Sequence, residues 1–62
     1  MYEIFIADCK REMRLRRMTN GDLAKATGYK KTSINAFFCD VKGREKSENV
    51  AKAISAALGV EL

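Results

Sequence analysis

Two adjacent lysines, Lys30 and Lys31, stand where the sequence predicts the start of a short helix. The surrounding segment, 20–38, has the pattern of two short helices joined by a turn at Gly28. Cations at a helix N-terminus oppose the helix dipole by roughly 0.3–1 kcal/mol each. An energetically unfavourable residue at an exposed position suggests that the residue has a function. Two ammonium groups would attract an anionic partner. The alternative is that the lysines are simply tolerated on a solvated surface.

The positive charge of the chain is concentrated in its middle. Residues 10–46 hold eleven lysines and arginines against four carboxylates, whereas residues 1–9 and 47–62 carry net charges of −2 and −1. The total is +4 over 62 residues. A basic middle predicts a basic surface that would attract nucleic acid, although an ordinary solvated surface would have the same composition.

Groups that could perform catalysis or bind a metal are scarce. The chain has no histidine, and therefore no Ser-His or Cys-His pair, and it has neither a glycine-rich phosphate loop nor an evident pair of catalytic carboxylates. Cys9 and Cys39 alone are too few for a structural zinc site, which needs four ligands. The sequence predicts no enzyme, no metal, no cofactor and no small-molecule ligand.

The two cysteines and the N-terminus also bear on the compartment. Both cysteines fall on apolar faces of predicted helices, which favours reduced core thiols over a disulfide. The N-terminal stretch MYEIFIADCK is acidic and has no long apolar run, unlike a signal peptide. No segment approaches the ~20 apolar residues of a membrane span. We expect a cytoplasmic protein without membrane contact.

The chain is short enough that we expect a single domain. The absence of proline favours helices, and four are predicted. The first runs from about Glu3 to Arg17. Its apolar stripe is Tyr2, Ile6, Cys9 and Met13, widened by Ile4 and Phe5. Three arginines near its end are candidates either for phosphate contact or for a solvated face: Arg14, Arg16 and Arg17.

The second helix is predicted to begin at Thr19–Asn20 and to stop before Gly28. Thr19 and Asp22 have the spacing of a capping box, with aspartate in place of glutamate. Leu23 and Ala26 are expected to point inward, while the small Ala24 allows close approach of a neighbouring helix.

The third helix is predicted from about Lys30 to Cys39, followed by a charged loop over 42–46. The fourth begins after the N-cap Ser47 and ends at Gly59. The expected buried faces of these two helices are Ile34, Phe37 and Phe38, and Val50, Ala51, Ile54, Ala57 and Leu58.

A helix-turn-helix needs a small residue on its first helix, a glycine in the turn and apolar residues facing the core on its second helix. Counted from Asn20, Ala24 is fifth, Gly28 ninth, Ile34 fifteenth and Phe37 eighteenth. These positions resemble the phage-repressor family of Cro/CI or xenobiotic-response-element type. The resemblance covers residues 10–59 and implies an all-α, compact lambda-repressor-like domain of four or five helices.

The resemblance also implies a function, sequence-specific binding of double-stranded DNA by a small transcriptional regulator, such as a repressor from a phage or mobile element. The helix at about 30–39 would lie in the major groove. By position, its base-contacting residues would be Lys31, Thr32 and Asn35. The residues expected on phosphates are Asn20, Lys30, Ser33, Lys42, Arg44 and Lys46.

The chain departs from this family in ways that bear on its partners. The sequence predicts neither a fifth helix nor the terminal strand through which some members dimerise, and it leaves open how a homodimer would form. A second function class also stays open, because fold does not fix function. In that alternative the same helices form a protein-interaction module that binds an acidic partner through Phe38, Tyr29 or the fourth helix.

Overall fold

The computed structural model describes residues 2–39 and 47–62, and in this part of the chain all regular structure is helical. The all-α prediction therefore holds for these residues. The predicted phosphate contacts Lys42, Arg44 and Lys46 lie outside them. The helices are α1 Glu3–Leu15, α2 Asn20–Thr27, α3 Lys31–Phe38 and α4 Glu48–Leu58.

The inner face of α1 carries Phe5, Cys9 and Met13, one residue per turn, and all three are buried. Burial, together with the nearby Asp8 carboxylate, raises the pKa of the Cys9 thiol to about 11. The prediction that Ile4 would join this face is wrong, because its side chain is 80% exposed. Ile4 lies about 140° around the helix from Cys9 and so points away from the core.

The end of α1 is a Schellman turn built on an arginine. Arg17 adopts the left-handed conformation with φ 54°, its N–H donates to the carbonyl of Arg14 at 3.2 Å, and the N–H of Met18 donates to Met13 at 2.8 Å. This turn ends the helix at Leu15, two residues before the predicted end. It also returns the chain so that Met18 packs against the core.

Helix α2 begins with the predicted capping box. The N–H of Asp22 donates to Oγ1 of Thr19 at 3.1 Å, and the N–H of Thr19 donates to Oδ2 of Asp22 at 3.0 Å. The hydrogen bond from the Thr19 backbone lowers the pKa of the Asp22 carboxyl below its usual value. At the other end of the helix, Gly28 has a φ of 80° and its N–H donates to the carbonyl of Ala24 at 2.9 Å. Both ends of α2 are therefore fixed by residues close in the chain.

The buried residues of α2 are Leu23 and Ala24. Ala26 is exposed, contrary to expectation, because it lies roughly 110° around the helix from the midpoint of that pair. Cys39, expected on an apolar face, is also exposed and follows α3 in an extended conformation. Neither cysteine forms a disulfide.

Helix α4 packs against each of the other three helices. Ser47 caps its start by accepting from the N–H of Val50, and Gly59 ends it with φ 69°. Ile54 and Leu58 are almost completely buried, as are Leu23 of α2 and Ile34 of α3. These four side chains form the centre of the core.

An aromatic cluster joins α1 to α3 at one side of this core. The ring of Phe37 meets Phe5 edge-on at 6.1 Å between centroids, and it also contacts Tyr2 and Phe38 at 5.6 and 5.8 Å. Phe37 is buried, whereas Phe38 is only partly buried. The cluster fixes the orientation of α3 relative to the rest of the domain.

No helix within residues 2–39 and 47–62 is long and apolar enough to cross a membrane.

Candidate nucleic-acid interface

Helix α3 has one face in the core and one end in solvent. Ile34 and Phe37 are buried, while Lys30, Lys31 and Thr32 at its start are exposed. Because α3 is held by its buried residues, the exposed residues project from a rigid support. The structure therefore gives the predicted base-contacting residues Lys31 and Thr32 the exposure that contact with another molecule requires.

The start of α3 lacks the side-chain cap that α2 and α4 have. Lys30 occupies the N-cap position and its side chain makes no capping hydrogen bond. Its carbonyl accepts from the N–H groups of Ser33 at 2.9 Å and Ile34 at 3.2 Å. Two ammonium groups therefore share this end of α3 with the positive end of the helix dipole, an arrangement that attracts anions.

Among the described residues, no carboxylate forms an ion pair with Lys30 or Lys31. The ion pairs in this part of the chain involve other cations, for example Arg11 with Asp8, Arg16 with Glu12 and Lys52 with Glu48. The charge at the start of α3 is thus not neutralised by this part of the chain, and it is available to a partner.

Asn20 and Asn35 are joined by a hydrogen bond that sequence reasoning did not predict. Nδ2 of Asn20 donates to Oδ1 of Asn35 at 2.6 Å, and both side chains are half-buried. Asn35 lies one turn after Lys31, on the side of α3 that faces the beginning of α2. A residue expected on a phosphate and a residue expected on a base therefore form one amide pair.

An open groove of about 540 Å³ lies beside this amide pair. Its walls come from the second half of α1, the turn after it and the end of α3. The residues that line it are Lys10, Met13, Arg14, Met18, Asn20, Asn35, Phe38 and Cys39. Lys10, which the sequence did not single out, and Arg14 thereby join the surface that contains Asn35.

Arg16, which directly follows α1, has an environment different from that of Arg14. The guanidinium of Arg16 donates to the carbonyl of Leu58 at 2.9 Å and lies 3.8 Å from the carboxylate of Glu12. It therefore satisfies an open carbonyl at the end of α4 and links two helix ends. Of the three arginines considered for phosphate contact, Arg14 lines the groove and Arg16 has this structural role.

The other predicted site residues have less distinctive surroundings. Ser33 is half-buried and Tyr29 is exposed beside the Gly28 turn. Within the described residues no group of three potential ligands could hold a metal ion.

The comparisons with known proteins add no relative. No family model, curated protein or solved structure matches the chain. The geometry and charge of the site itself therefore indicate what the chain can bind.

Proposed function

We propose that this chain is a small regulator that binds double-stranded DNA in a sequence-specific manner, with α3 in the major groove. The observation that carries the proposal is the start of α3, where Lys30, Lys31 and Thr32 are exposed on a helix fixed by Ile34 and Phe37. A helix of this kind fits the width of the major groove, where base edges are distinguishable.

The residues on α3 have complementary hydrogen-bonding chemistry. The ammonium group of Lys31 can donate to O6 and N7 of guanine, and the methyl group of Thr32 can meet the methyl group of thymine. Asn35 keeps both hydrogens of its amide nitrogen and one lone pair on Oδ1 after accepting from Asn20. It can therefore still pair with adenine, in an orientation that Asn20 holds.

Sequence-independent affinity would come from cations around α3. Lys30 lies at its start, and Lys10 and Arg14 line the neighbouring groove. Phosphate contacts of this kind place a protein on the duplex without reading its sequence. This division assigns specificity to α3 and much of the affinity to the residues that surround it.

The type of helix-turn-helix is part of the proposal. A small buried Ala24 on α2, the left-handed Gly28 and the buried Ile34 and Phe37 on α3 support the lambda-repressor-like arrangement. The resemblance of these positions to phage repressors supports a repressor of phage or mobile-element origin.

Selection of bound sequences from a random duplex pool tests this function. We expect enrichment of one motif, and an affinity whose logarithm falls linearly with the logarithm of salt concentration, with a slope of about −0.9 per phosphate neutralised. Failure to retain any duplex at low salt would reject DNA binding. Retention without enrichment of a motif would reject specific reading by α3.

The groove favours one alternative function, a protein-interaction module. Met13, Met18 and Phe38 give it an apolar floor, and Lys10 and Arg14 add positive charge at its rim. An acidic amphipathic peptide would suit such a groove. Binding of acidic peptides that is abolished by Phe38→Ala, together with no retention of duplex, would support this alternative.

A further inference from the structure

The outward face of α1 carries two large apolar side chains that no other part of the described chain covers. Ile4 is 80% exposed and Leu15 is 73% exposed. Asp8 and Arg11 lie between them on the same side of the helix, because the spacings of 4, 3 and 4 residues follow one face. We call Ile4, Asp8, Arg11 and Leu15 the outer stripe.

The order of residues in the outer stripe is self-complementary. If a second copy of α1 lies antiparallel across the stripe, Ile4 of each copy meets Leu15 of the other. In the same register, Asp8 of each copy meets Arg11 of the other. A single two-fold axis, passing between the levels of Asp8 and Arg11, produces all four contacts, as a closed dimer interface requires.

We infer that the outer stripe is a homodimer interface, in which α1 packs antiparallel against α1 of a second copy. The charges of Asp8 and Arg11 favour a second copy of the chain as the partner, and they favour the antiparallel orientation of its α1. Asp8 and Arg11 already form an ion pair within one chain, with 3.7 Å between the guanidinium and the carboxylate. The antiparallel copy adds two ion pairs between chains, whereas a parallel copy would place Asp8 against Asp8 and Arg11 against Arg11.

The spacing and length of α1 suit such packing. Spacings of 4 and 3 residues are those of side chains that interlock between two helices. The 13 residues of α1 span about 20 Å, which provides four layers of contact. The surface area that one such pair of helices can bury is at the low end of the areas buried in specific complexes, so we expect a weak and reversible dimer. The inference does not depend on DNA binding.

Sedimentation equilibrium over a range of protein concentrations tests the dimer. We expect association that Leu15→Lys weakens by about tenfold or more. The matched control is Leu62→Lys, which adds the same charge at another exposed leucine, 59% exposed, and should leave association unchanged. A protein that stays monomeric up to about 1 mM, or association equally affected by both variants, would overturn the inference.

A charge exchange tests the proposed contacts between Asp8 and Arg11 of opposite chains. Asp8→Arg places arginine against arginine in the dimer, and Arg11→Asp places aspartate against aspartate, so neither variant should self-associate. Their mixture should form a heterodimer, because each aspartate then meets an arginine. Circular dichroism of each variant establishes that both remain helical. Folded variants that show no heterodimer on mixing would disprove the antiparallel packing, even if the original chain self-associates.

Discussion

The side chains of Asn20 and Asn35 form a hydrogen bond of 2.6 Å across 15 positions of the chain. It joins the first residue of α2 to a half-buried residue in the middle of α3. The bond uses one donor of Asn20 and one lone pair of Asn35, and it leaves the amide nitrogen of Asn35 available. Asn20 therefore acts on the candidate interface at least in part through Asn35.

This relationship predicts coupled effects on DNA affinity. Asn35→Ala should weaken binding to the selected sequence by about 1–3 kcal/mol, the usual size of a lost base contact. Asn20→Ala should cause part of the same loss, and the double variant should lose less than the sum, because both act through one amide pair. Fluorescence anisotropy titrations measure all three. Asn49→Ala, at an exposed position of α4, is the control; additive losses would contradict the coupling.

Lys31 and Lys30 are predicted to differ in what they contribute. Lys31→Ala should reduce the preference for the selected sequence by about 1–3 kcal/mol, because it removes a base contact. Lys30→Ala should weaken binding to all duplexes and reduce the salt slope by about one, because it removes a phosphate contact. Titrations of selected and scrambled duplexes at several salt concentrations separate the two effects.

The control for both lysine variants is Lys52→Ala, which removes the same charge from the exposed side of α4. It should change affinity and base preference little. If Lys31→Ala behaves as Lys52→Ala does, α3 is not the recognition helix.

Arg17 provides a test of backbone strain at the end of α1. Because it holds a left-handed φ of 54°, Arg17→Gly should raise the free energy of unfolding by about 0.5–1 kcal/mol. Arg14→Gly removes the same side chain from within the helix and should lower stability by about 1 kcal/mol. Urea unfolding followed by circular dichroism measures both variants, and equal destabilisation by the two would be inconsistent with the Schellman turn.

The capping box of α2 predicts an effect on stability. Thr19→Ala should lower the free energy of unfolding by about 0.5–2 kcal/mol, because the N–H of Asp22 loses its acceptor. Thr32→Ala, an exposed threonine in the first turn of α3, should change it by less than about 0.5 kcal/mol. Chemical denaturation at neutral pH measures the difference, and a Thr19→Ala variant as stable as the original chain would argue against the cap.

The Asp22 carboxylate predicts how stability depends on pH. Since folding lowers its pKa, the folded protein favours the ionised form, and this stabilisation is present above the unfolded pKa of about 4. It is lost as the pH falls through the lower folded value. The stability difference between the original chain and Asp22→Asn should therefore shrink as the pH falls below about 4, and a difference that does not change with pH would exclude this contribution.

The two thiols should react at very different rates. The buried Cys9, with a pKa of about 11, stays protonated at neutral pH, whereas Cys39 is exposed. With iodoacetamide we expect Cys9 to react at least about a hundredfold more slowly, because reaction requires opening of the core. Mass spectrometry of Cys9→Ser and Cys39→Ser variants measures each rate, and the two rates should converge in denaturant.

The local features of the fold were predictable because they depend on residues close in the chain. Short-range hydrogen bonds explain the Thr19–Asp22 capping box and the Ser47 cap. The conformational freedom of glycine explains the left-handed Gly28 and Gly59. The wrong predictions concern the sides of helices and the end of α1, which lies at Leu15 rather than at Arg17. Ile4 and Ala26 are apolar, and composition alone does not show which apolar residue faces a neighbouring helix.

The sequence by itself determined four helical segments, the caps of α2 and α4, the concentration of positive charge and the lysines at the start of α3. Only the tertiary structure decided which distant groups meet. The bond between Arg16 and Leu58 spans 42 positions, and the groove joins Lys10 of α1 to Asn35 of α3. The physical reason is that such contacts depend on how whole helices pack around the core, which is a property of the entire chain rather than of any local pattern.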